Sequence, residues 1–253
     1  MTATSSAPPA PTASSTPVAT TSAPPATLPV ASLPAGSLRG IVVGLDPGHN
    51  GLNYTDPAYL AKQVWNGREW EDCDTTGTET DGGYPEPRFT FAVAEYLRTM
   101  LEHAGATVVM TRDTNSGKGP CVNRRSQIIN AAHADVALDI HADGGPSTGR
   151  GFAILEPVAD GPNDGVISSS ERLGGELRSA LLRLTPMPTS TYDGVNGITR
   201  RDDLAGLNLT TVPKVLVECG NMRNATDAAL LVTPAFQRQL ARAMAAAVLA
   251  FVR

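Results

Sequence analysis

The sequence predicts an α/β fold: a single domain with a mostly parallel central sheet that is covered by helices on both faces. From Arg39 onward, short apolar runs alternate with amphipathic stretches, as in strands that are joined by crossover helices. The runs are apolar almost throughout, which is typical of strands buried on both faces. Right-handed crossovers bring the carboxyl ends of such strands to one edge, where open α/β sheets bind their ligands.

Five strands and four helices account for most of this region. The strands are predicted at residues 41–45, 106–112, 135–141, 151–157 and 213–219. The helices are predicted over "EPRFTFAVAEYLRTMLEHAG" and over residues 122–133, 169–184 and 234–252. In the first helix, Phe89, Val93 and Leu97 recur on one face, and Gly105 provides a stop signal.

Two long stretches, 50–85 and 185–200, match no regular element. Long loops in a compact domain are usually functional. We therefore expect both stretches to flank the ligand-binding edge of the sheet and to gate it.

Residues 1–38 contain no charged side chain and are rich in Ala, Pro, Ser and Thr. This composition predicts a disordered tether that is followed by one folded domain at 39–253. The stretch lacks the apolar core of an export signal. Because such tethers commonly follow an export signal that has been removed, we expect a secreted or periplasmic protein of the cell envelope.

Composition excludes several classes of partner. The chain has 253 residues, of which 41% are hydrophobic and 18% charged, and a net charge of -5, which fits an ordinary globular domain. The sequence has no run of Lys and Arg, which argues against a nucleic-acid or anionic-membrane surface as its main partner. Charge or proline interrupts every apolar stretch before the roughly 18 residues of a membrane helix. We expect a monomer with no transmembrane segment and a small or uncharged polymeric substrate.

Three cysteines are too few for a disulfide scaffold. Cys73 and Cys121 lie in polar loop sequence, whereas Cys219 ends an apolar strand. We predict a Cys73–Cys121 bridge with Cys219 as a buried thiol; the alternative is three free thiols in a reducing compartment.

Three chemically capable side chains lie at predicted strand ends. His49 follows the first strand through an Asp-Pro-Gly turn, His141 ends "DVALDIH", and Glu218 ends "PKVLVE". His103 and His133, by contrast, lie in or at the end of helices, where a surface role is expected.

Two histidines and a carboxylate are the ligand set of a catalytic zinc ion, which keeps a further position for water. The sequence has no HExxH motif, and strand-end histidines also bond to loops, so this pattern alone is a weak signal. Several acids remain candidates for the third ligand: Glu86, Glu218, Asp46, Asp139 and Asp143.

Four motifs in order carry a resemblance to a known family. They are "GLDPGHNG", "EPRFTFAVAEYLRTMLEHAGATVVMTRDT", "RSQIINAAHADVALDIHAD" and "DLAGLNLTTVPKVLVECGNMRN". In order and spacing, they resemble the zinc-dependent N-acetylmuramoyl-L-alanine amidases of the Amidase_3 family. The resemblance covers about residues 39–253, which would then form a zinc amidase catalytic domain.

The resemblance implies specific roles. It puts Zn²⁺ on His49, Glu86 and His141, and it makes Glu218 the catalytic residue, a base that must stay free to take a proton from water. The implied reaction is hydrolysis of the amide between the lactyl group of N-acetylmuramic acid and L-alanine, in peptidoglycan or a muropeptide. Without the resemblance, Glu86 would be an ordinary first-turn acid favoured by the helix dipole.

The sequence also departs from the family pattern. The usual "SIHAN" reads "DIHAD", with Asp139 and Asp143, and the usual "GFxSN" reads "GNMRN". An acid at such a position either orients a ligand histidine or caps a loop, and both remain open. We expect Arg125 to be structural and Asp46 to form the turn, with a contact to a ligand as its alternative.

Two rival functions remain. A zinc peptidase or deacetylase could use a similar scaffold. A catalytically silent peptidoglycan-binding or regulatory protein could share the same fold.

Overall fold

A six-stranded sheet forms the centre of the molecule. The structure is a computed structural model that describes Met1 and residues 33–253. Its strands are β1 (Val42–Pro47), β2 (Gln63–Trp65), β3 (Trp70–Asp72), β4 (Thr107–Met110), β5 (Val136–Asp143), β6 (Ala153–Pro157), β7 (Ile198–Arg201) and β8 (Lys214–Asn221). Its helices are α1 (Pro57–Leu60), α2 (Glu86–His103), α3 (Val122–Ala131), α4 (Ile167–Leu184), α5 (Ala205–Asn208), α6 (Ala225–Leu231) and α7 (Pro234–Phe251).

The strand order in the sheet is β4-β1-β5-β8-β6-β7, and β2 pairs with β3 as a separate hairpin. Strands β4, β1, β5 and β8 are parallel, whereas β6 runs antiparallel to β8 and parallel to β7. The reversal follows from the connection between β5 and β6, which is too short for a crossover helix. The predicted mostly parallel sheet is confirmed, with two reversed strands at one edge.

Helices cover both faces of the sheet, as predicted. On one face, α2, α4 and α7 pack together, and Phe89, Leu173 and Met244 are fully buried there. On the other face, the short helices α3 and α5 supply Ile129 and Leu207 to smaller apolar clusters. The carboxyl ends of the parallel strands remain uncovered by these helices, which is where ligands bind in such sheets.

The prediction that residues 50–85 contain no regular element is wrong at the β2–β3 hairpin and the single-turn helix α1. Strands of three residues are too short to show a period. Residues 185–200 are irregular up to β7, which begins at Ile198.

The predicted tether falls mostly on residues 2–32, which lie outside the described residues. Residues 33–38 pack on the domain: Leu38 is fully buried, and its N–H donates to the carbonyl of Ala104 at 2.9 Å.

Two further predictions are confirmed. Cys73 and Cys121 form a disulfide, and Cys219 is a buried free thiol. In the described part of the chain, no helix has the length and apolar character needed to cross a membrane.

A buried lysine joins two strands beneath the carboxyl edge. Lys214 begins β8, and its Nζ lies 2.8 Å from Oδ2 of Asp46 and 3.1 Å from Oδ2 of Asp139. The Lys214 side chain is only 1% exposed. Burying a charge is tolerated only with such partners, so this contact fixes β1, β5 and β8 relative to one another.

We predict that Lys214→Met lowers the free energy of unfolding by about 3–5 kcal/mol, because it removes the buried cation of Asp139 and leaves Asp46 with Arg125 alone. Urea denaturation measures the loss. Lys118→Met is the control, since Lys118 pairs with Asp56 at the surface, and it should leave stability almost unchanged. Equal losses in the two variants would contradict this account.

Candidate metal centre

Three side chains from separate elements converge at the carboxyl edge of the sheet. His49 follows β1, Glu86 is the first residue of α2, and His141 lies in β5. One potential ligand atom from each lies within 4.8 Å of the others. The side chains are 5–18% exposed, so a ligand can reach them from solvent. This is a ready-made three-donor set.

The turn after β1 aims His49 through an unusual backbone. His49 has a φ of 57°, a left-handed conformation that is uncommon for a residue with a side chain. Gly48 must be a glycine, because a Cβ there would lie 2.2 Å from the His141 ring. Arg125 donates to the carbonyls of Pro47 and His49, both at 2.8 Å. The predicted structural role of Arg125 fits these contacts.

Glu86 is oriented by backbone amides on both of its carboxylate oxygens. The N–H of Thr78 donates to Oε2 at 2.9 Å, and the N–H of Ala142 donates to Oε1 at 3.2 Å. Gly77, at a φ of 70°, passes so close that a Cβ would lie 2.7 Å from Oε2. The loop at 77–78 therefore packs directly on the site.

The two histidines present opposite ring nitrogens to Glu86. Nε2 of His49 lies 3.3 Å from Oε2 of Glu86, and Nδ1 of His141 lies 2.9 Å from Oε1. The outer nitrogens meet other acids: Nδ1 of His49 is 3.0 Å from Asp74, and Nε2 of His141 is 3.2 Å from Asp139. A carboxylate on the outer nitrogen fixes the tautomer and the ring orientation.

Each outer acid is itself held by a buried cation. Arg125 contacts Asp74 at 3.2 Å and Asp46 at 3.0 Å, and Lys214 contacts Asp139. Asp46 thus does more than form a turn, since it lies between the two cations. Of the alternatives left open for Asp139, its contact with His141 supports the orienting role.

Asp143 has a different partner. It accepts a hydrogen bond from the hydroxyl of Tyr192 at 2.6 Å, so it ties the stretch 185–200 to the end of β5. Both long stretches singled out in the sequence therefore border the site, one through Asp74 and the other through Tyr192. Whether they gate it stays a prediction.

Glu218 lies beside the cluster with an unused oxygen. It is opposite His141 in the β5–β8 register, and its Oε2 is buried without a hydrogen-bond partner. Burial raises the pKa of the Glu218 carboxyl, and the charges of Glu86 and Asp143 add to the rise, which brings the pKa to about 8. A carboxyl in this state is free to accept or deliver a proton.

Glu86 has the opposite character. Burial alone would raise its pKa, but the charges and hydrogen bonds of the two histidines hold that pKa well below its usual range. Burial likewise lowers the pKa of His49, whereas Glu86 and Asp74 outweigh it and raise the pKa to about 9. The paired acid suits a ligand and the unpaired acid suits proton transfer, a separation set by environment.

Two cavities adjoin the cluster. One, of about 200 Å³, is lined by His49, His141 and residues of the β2–β3 hairpin. The other, a groove of about 540 Å³, runs past Gly77 and Thr78 to Arg223. The groove lies next to the cluster, since Gly77 packs against Glu86 and His49.

The four residues singled out in the sequence, His49, Glu86, His141 and Glu218, are brought together here. His103 and His133 are exposed elsewhere. Sequence reasoning missed three supporting residues: Asp74, Lys214 and Tyr192. The signal for Lys214 was a charge at the start of an apolar strand, and the signal for Asp74 was its position beside Cys73.

The sequence and the fold match a known family. Residues 43–250 match the family model Amidase_3, described as N-acetylmuramoyl-L-alanine amidase. The chain belongs to this family. Similar solved structures have the same α/β fold, and those that are 39% identical to this chain are N-acetylmuramyl-L-alanine amidases.

Several relatives are similar over most of their length. An N-acetylmuramoyl-L-alanine amidase of Mycobacterium tuberculosis is 36% identical over 229 residues, which cover 88% of this chain and 90% of that protein. The crystal structure of the amidase Ami1 from Mycobacterium smegmatis has a TM-score of 0.80 at 39% identity, covering 85% of this chain and 98% of that one. Apo Ami1 from Mycobacterium abscessus gives a TM-score of 0.80 and 39% identity over 85% and 100%.

We predict that Asp74→Asn lowers the affinity for zinc about 10–100-fold, because a neutral amide holds the outer nitrogen of His49 less firmly. Competition with a chromophoric chelator measures the affinity. Asp113→Asn is the matched control, since Asp113 is exposed and, among the described residues, makes no hydrogen bond or ion pair with His49, Glu86 or His141. If both variants bind zinc as tightly as the parent protein, the orienting role of Asp74 is wrong.

Proposed function

We propose that this protein is a zinc-dependent N-acetylmuramoyl-L-alanine amidase that cleaves the amide between the lactyl group of N-acetylmuramic acid and L-alanine of the stem peptide. Family membership supports a peptidoglycan amidase. The observation that carries the finer proposal is the cluster of His49, Glu86 and His141 beside the unpartnered oxygen of Glu218.

The donor set suits Zn²⁺. Two imidazole nitrogens and one carboxylate, with access left for water, are typical of catalytic zinc sites. His49, Glu86 and His141 would hold the ion, and each histidine has the carboxylate partner that zinc-binding histidines usually have. When bound, zinc supplies a Lewis acid that makes water reactive near neutral pH and polarises a carbonyl group.

Glu218 carries the proton. Its carboxylate takes a proton from the attacking water as the new carbon–oxygen bond forms. The carbon–nitrogen bond then breaks, and the protonated Glu218 delivers that proton to the leaving amine of L-alanine. This delivery is essential because an amide nitrogen is a poor leaving group. The unpartnered Oε2 of Glu218 supports both steps, since no hydrogen bond has to be broken before it accepts or delivers the proton.

Glu86 does not compete for this role. Its oxygens are engaged by two backbone amides and two histidines, so it has no free lone pair directed at water. The two backbone amides stabilise its ionised form, and a carboxylate ligand must be ionised to bind a metal.

The groove that begins at Gly77 supports an extended substrate. Its lining includes Tyr54, Glu79 and Arg223 together with backbone groups of the loop at 76–78. This mixture of hydrogen-bonding groups and one aromatic ring suits a peptide attached to a sugar.

We also propose that the protein works outside the cytoplasm as a monomer. The Cys73–Cys121 disulfide supports an oxidising compartment, where such bonds persist. Peptidoglycan itself lies outside the cytoplasmic membrane.

Mass spectrometry of digested peptidoglycan tests the reaction. We expect the parent protein to release stem peptides with a free L-alanine amino terminus and to leave the muramic acid intact. Cleavage inside the peptide would indicate a zinc peptidase, loss of acetyl groups a deacetylase, and no cleavage a silent binding protein; each result would overturn the proposal.

We predict that Glu218→Gln lowers kcat at least 100-fold while zinc content stays unchanged, because the amide cannot transfer the proton. Glu176→Gln, a substitution of a surface acid on α4, is the control and should retain parent activity. Elemental analysis and product release measure the two quantities. Parent-like turnover in Glu218→Gln would remove Glu218 from the mechanism.

A further inference from the structure

The only two tryptophans of the chain lie side by side and exposed on the β2–β3 hairpin. Trp65 and Trp70 are direct partners in the strand register, and they are 44% and 65% exposed. Their rings stack edge to face with centroids 5.8 Å apart. Leaving two large aromatic rings in water forgoes the free energy of burying them, so such a patch indicates a binding surface.

Polar side chains flank the two rings on the same face. Gln63 and Asp72 are the next residues on this face of the hairpin, and Nε2 of Gln63 donates to Oδ1 of Asp72 at 2.5 Å. Val64 and Glu71 lie on the opposite face and are less exposed. The face formed by Gln63, Trp65, Trp70 and Asp72, which we call the tryptophan face, thus combines aromatic rings with hydrogen-bonding groups.

The hairpin is held rigid at both ends. At its tip, the buried side chain of Asn66 accepts hydrogen bonds from the N–H groups of Arg68 and Glu69. Arg68 also pairs with Asp160 at 2.8 Å. At its base, the residue after β3 is the bridged Cys73. A surface that is already ordered loses little entropy on binding.

The tryptophan face adjoins the metal centre. Glu71 and Asp72 line the 200 Å³ cavity together with His49 and His141. Trp70 is four residues before Asp74, the partner of His49, which limits the distance between their Cα atoms to about 14 Å. A polymer crossing the hairpin therefore passes close to the site of cleavage.

We propose that the tryptophan face binds the sugar rings of the peptidoglycan glycan strand and holds the strand while a stem peptide is cleaved. The inference rests on the proposed function for the choice of substrate. A pyranose ring offers an apolar C–H face that stacks on an aromatic ring and hydroxyl or acetamido groups that bond to Gln63 and Asp72. The chain thereby gains affinity for the polymer beyond its contacts with the reacting amide.

Other occupants fit less well. An anionic membrane surface attracts Lys and Arg, yet the tryptophan face has neither. Of the nearby cations, Arg68 is paired with Asp160 and Asp202, and Lys62 lies over the ring of Tyr59. A protein partner usually buries about 800 Å² on each side. Two tryptophans supply at most about 500 Å².

Tryptophan fluorescence tests the inference directly, because Trp65 and Trp70 are the only tryptophans in the chain. The probe is peptide-free glycan strands, prepared from peptidoglycan and added to the full chain. We expect a saturable shift of the emission maximum. No spectral change up to saturating glycan would overturn the proposal.

Variants provide the second measurement, which is co-sedimentation with insoluble peptidoglycan. Trp65→Ala and Trp70→Ala should each weaken binding at least tenfold, whereas Trp70→Phe should lose less because it keeps a stacking ring. Leu182→Ala is the control. Leu182 is an apolar side chain on α4 that is as exposed as Trp65, and this variant should bind peptidoglycan as the parent does. Circular dichroism and free thiol counts verify that each variant is folded and bridged.

The outcomes separate this inference from the proposed function. A fluorescence response without peptide release would keep the glycan site and overturn the amidase. Peptide release with parent-like binding in both alanine variants would support the amidase and overturn the glycan site. If the alanine variants instead lose binding to anionic lipid vesicles, or lose self-association in ultracentrifugation, and bind glycan normally, the tryptophan face serves that occupant and the proposal is wrong.

Discussion

The arrangement of the site depends on a buried group of alternating charges beneath the carboxyl edge of the sheet. Lys214 and Arg125 share Asp46 between them, and each also holds one further acid, Asp139 or Asp74. Those two outer acids in turn contact the histidines. Since every charge in this group is paired, its burial is tolerated. The orientation of the two imidazole rings therefore depends on the positions of the strands that carry these charges.

This foundation explains why two nearby glutamates acquire different chemistry. Glu86 lies between the histidines and two backbone amides, so its charge is stabilised. Glu218 lies in the same edge of the sheet without any hydrogen bond to Oε2, so its charge is disfavoured by burial and by other acids. The strand register brings Glu218 opposite His141, which puts the proposed proton carrier beside the proposed metal ligands.

The sequence predicted the parts of the site that come from regular elements. His49, His141 and Glu218 lie at or near the ends of strands whose apolar runs are unmistakable, whereas the assignment of Glu86 depended on a family resemblance. Asp74 escaped prediction although the bridge at Cys73 was predicted, because its contacts with His49 and Arg125 join residues far apart in the sequence.

The hairpin was missed for a related reason. Strands of three residues are too short to show the alternation of apolar and polar residues that marks a strand. Their pairing is fixed by Asn66 at the tip and Cys73 at the base. The reversed strands β6 and β7 likewise reflect the short connection before β6, since an apolar run does not reveal its direction in a sheet.

The most direct test of the central claim is an anomalous difference map, recorded at the zinc edge, of crystals grown with zinc. We expect one strong peak bounded by Nε2 of His49, Nδ1 of His141 and the Glu86 carboxylate, with Glu218 nearby but not bound to the ion. A peak at another group, or one held by Glu218 in place of Glu86, would contradict the account.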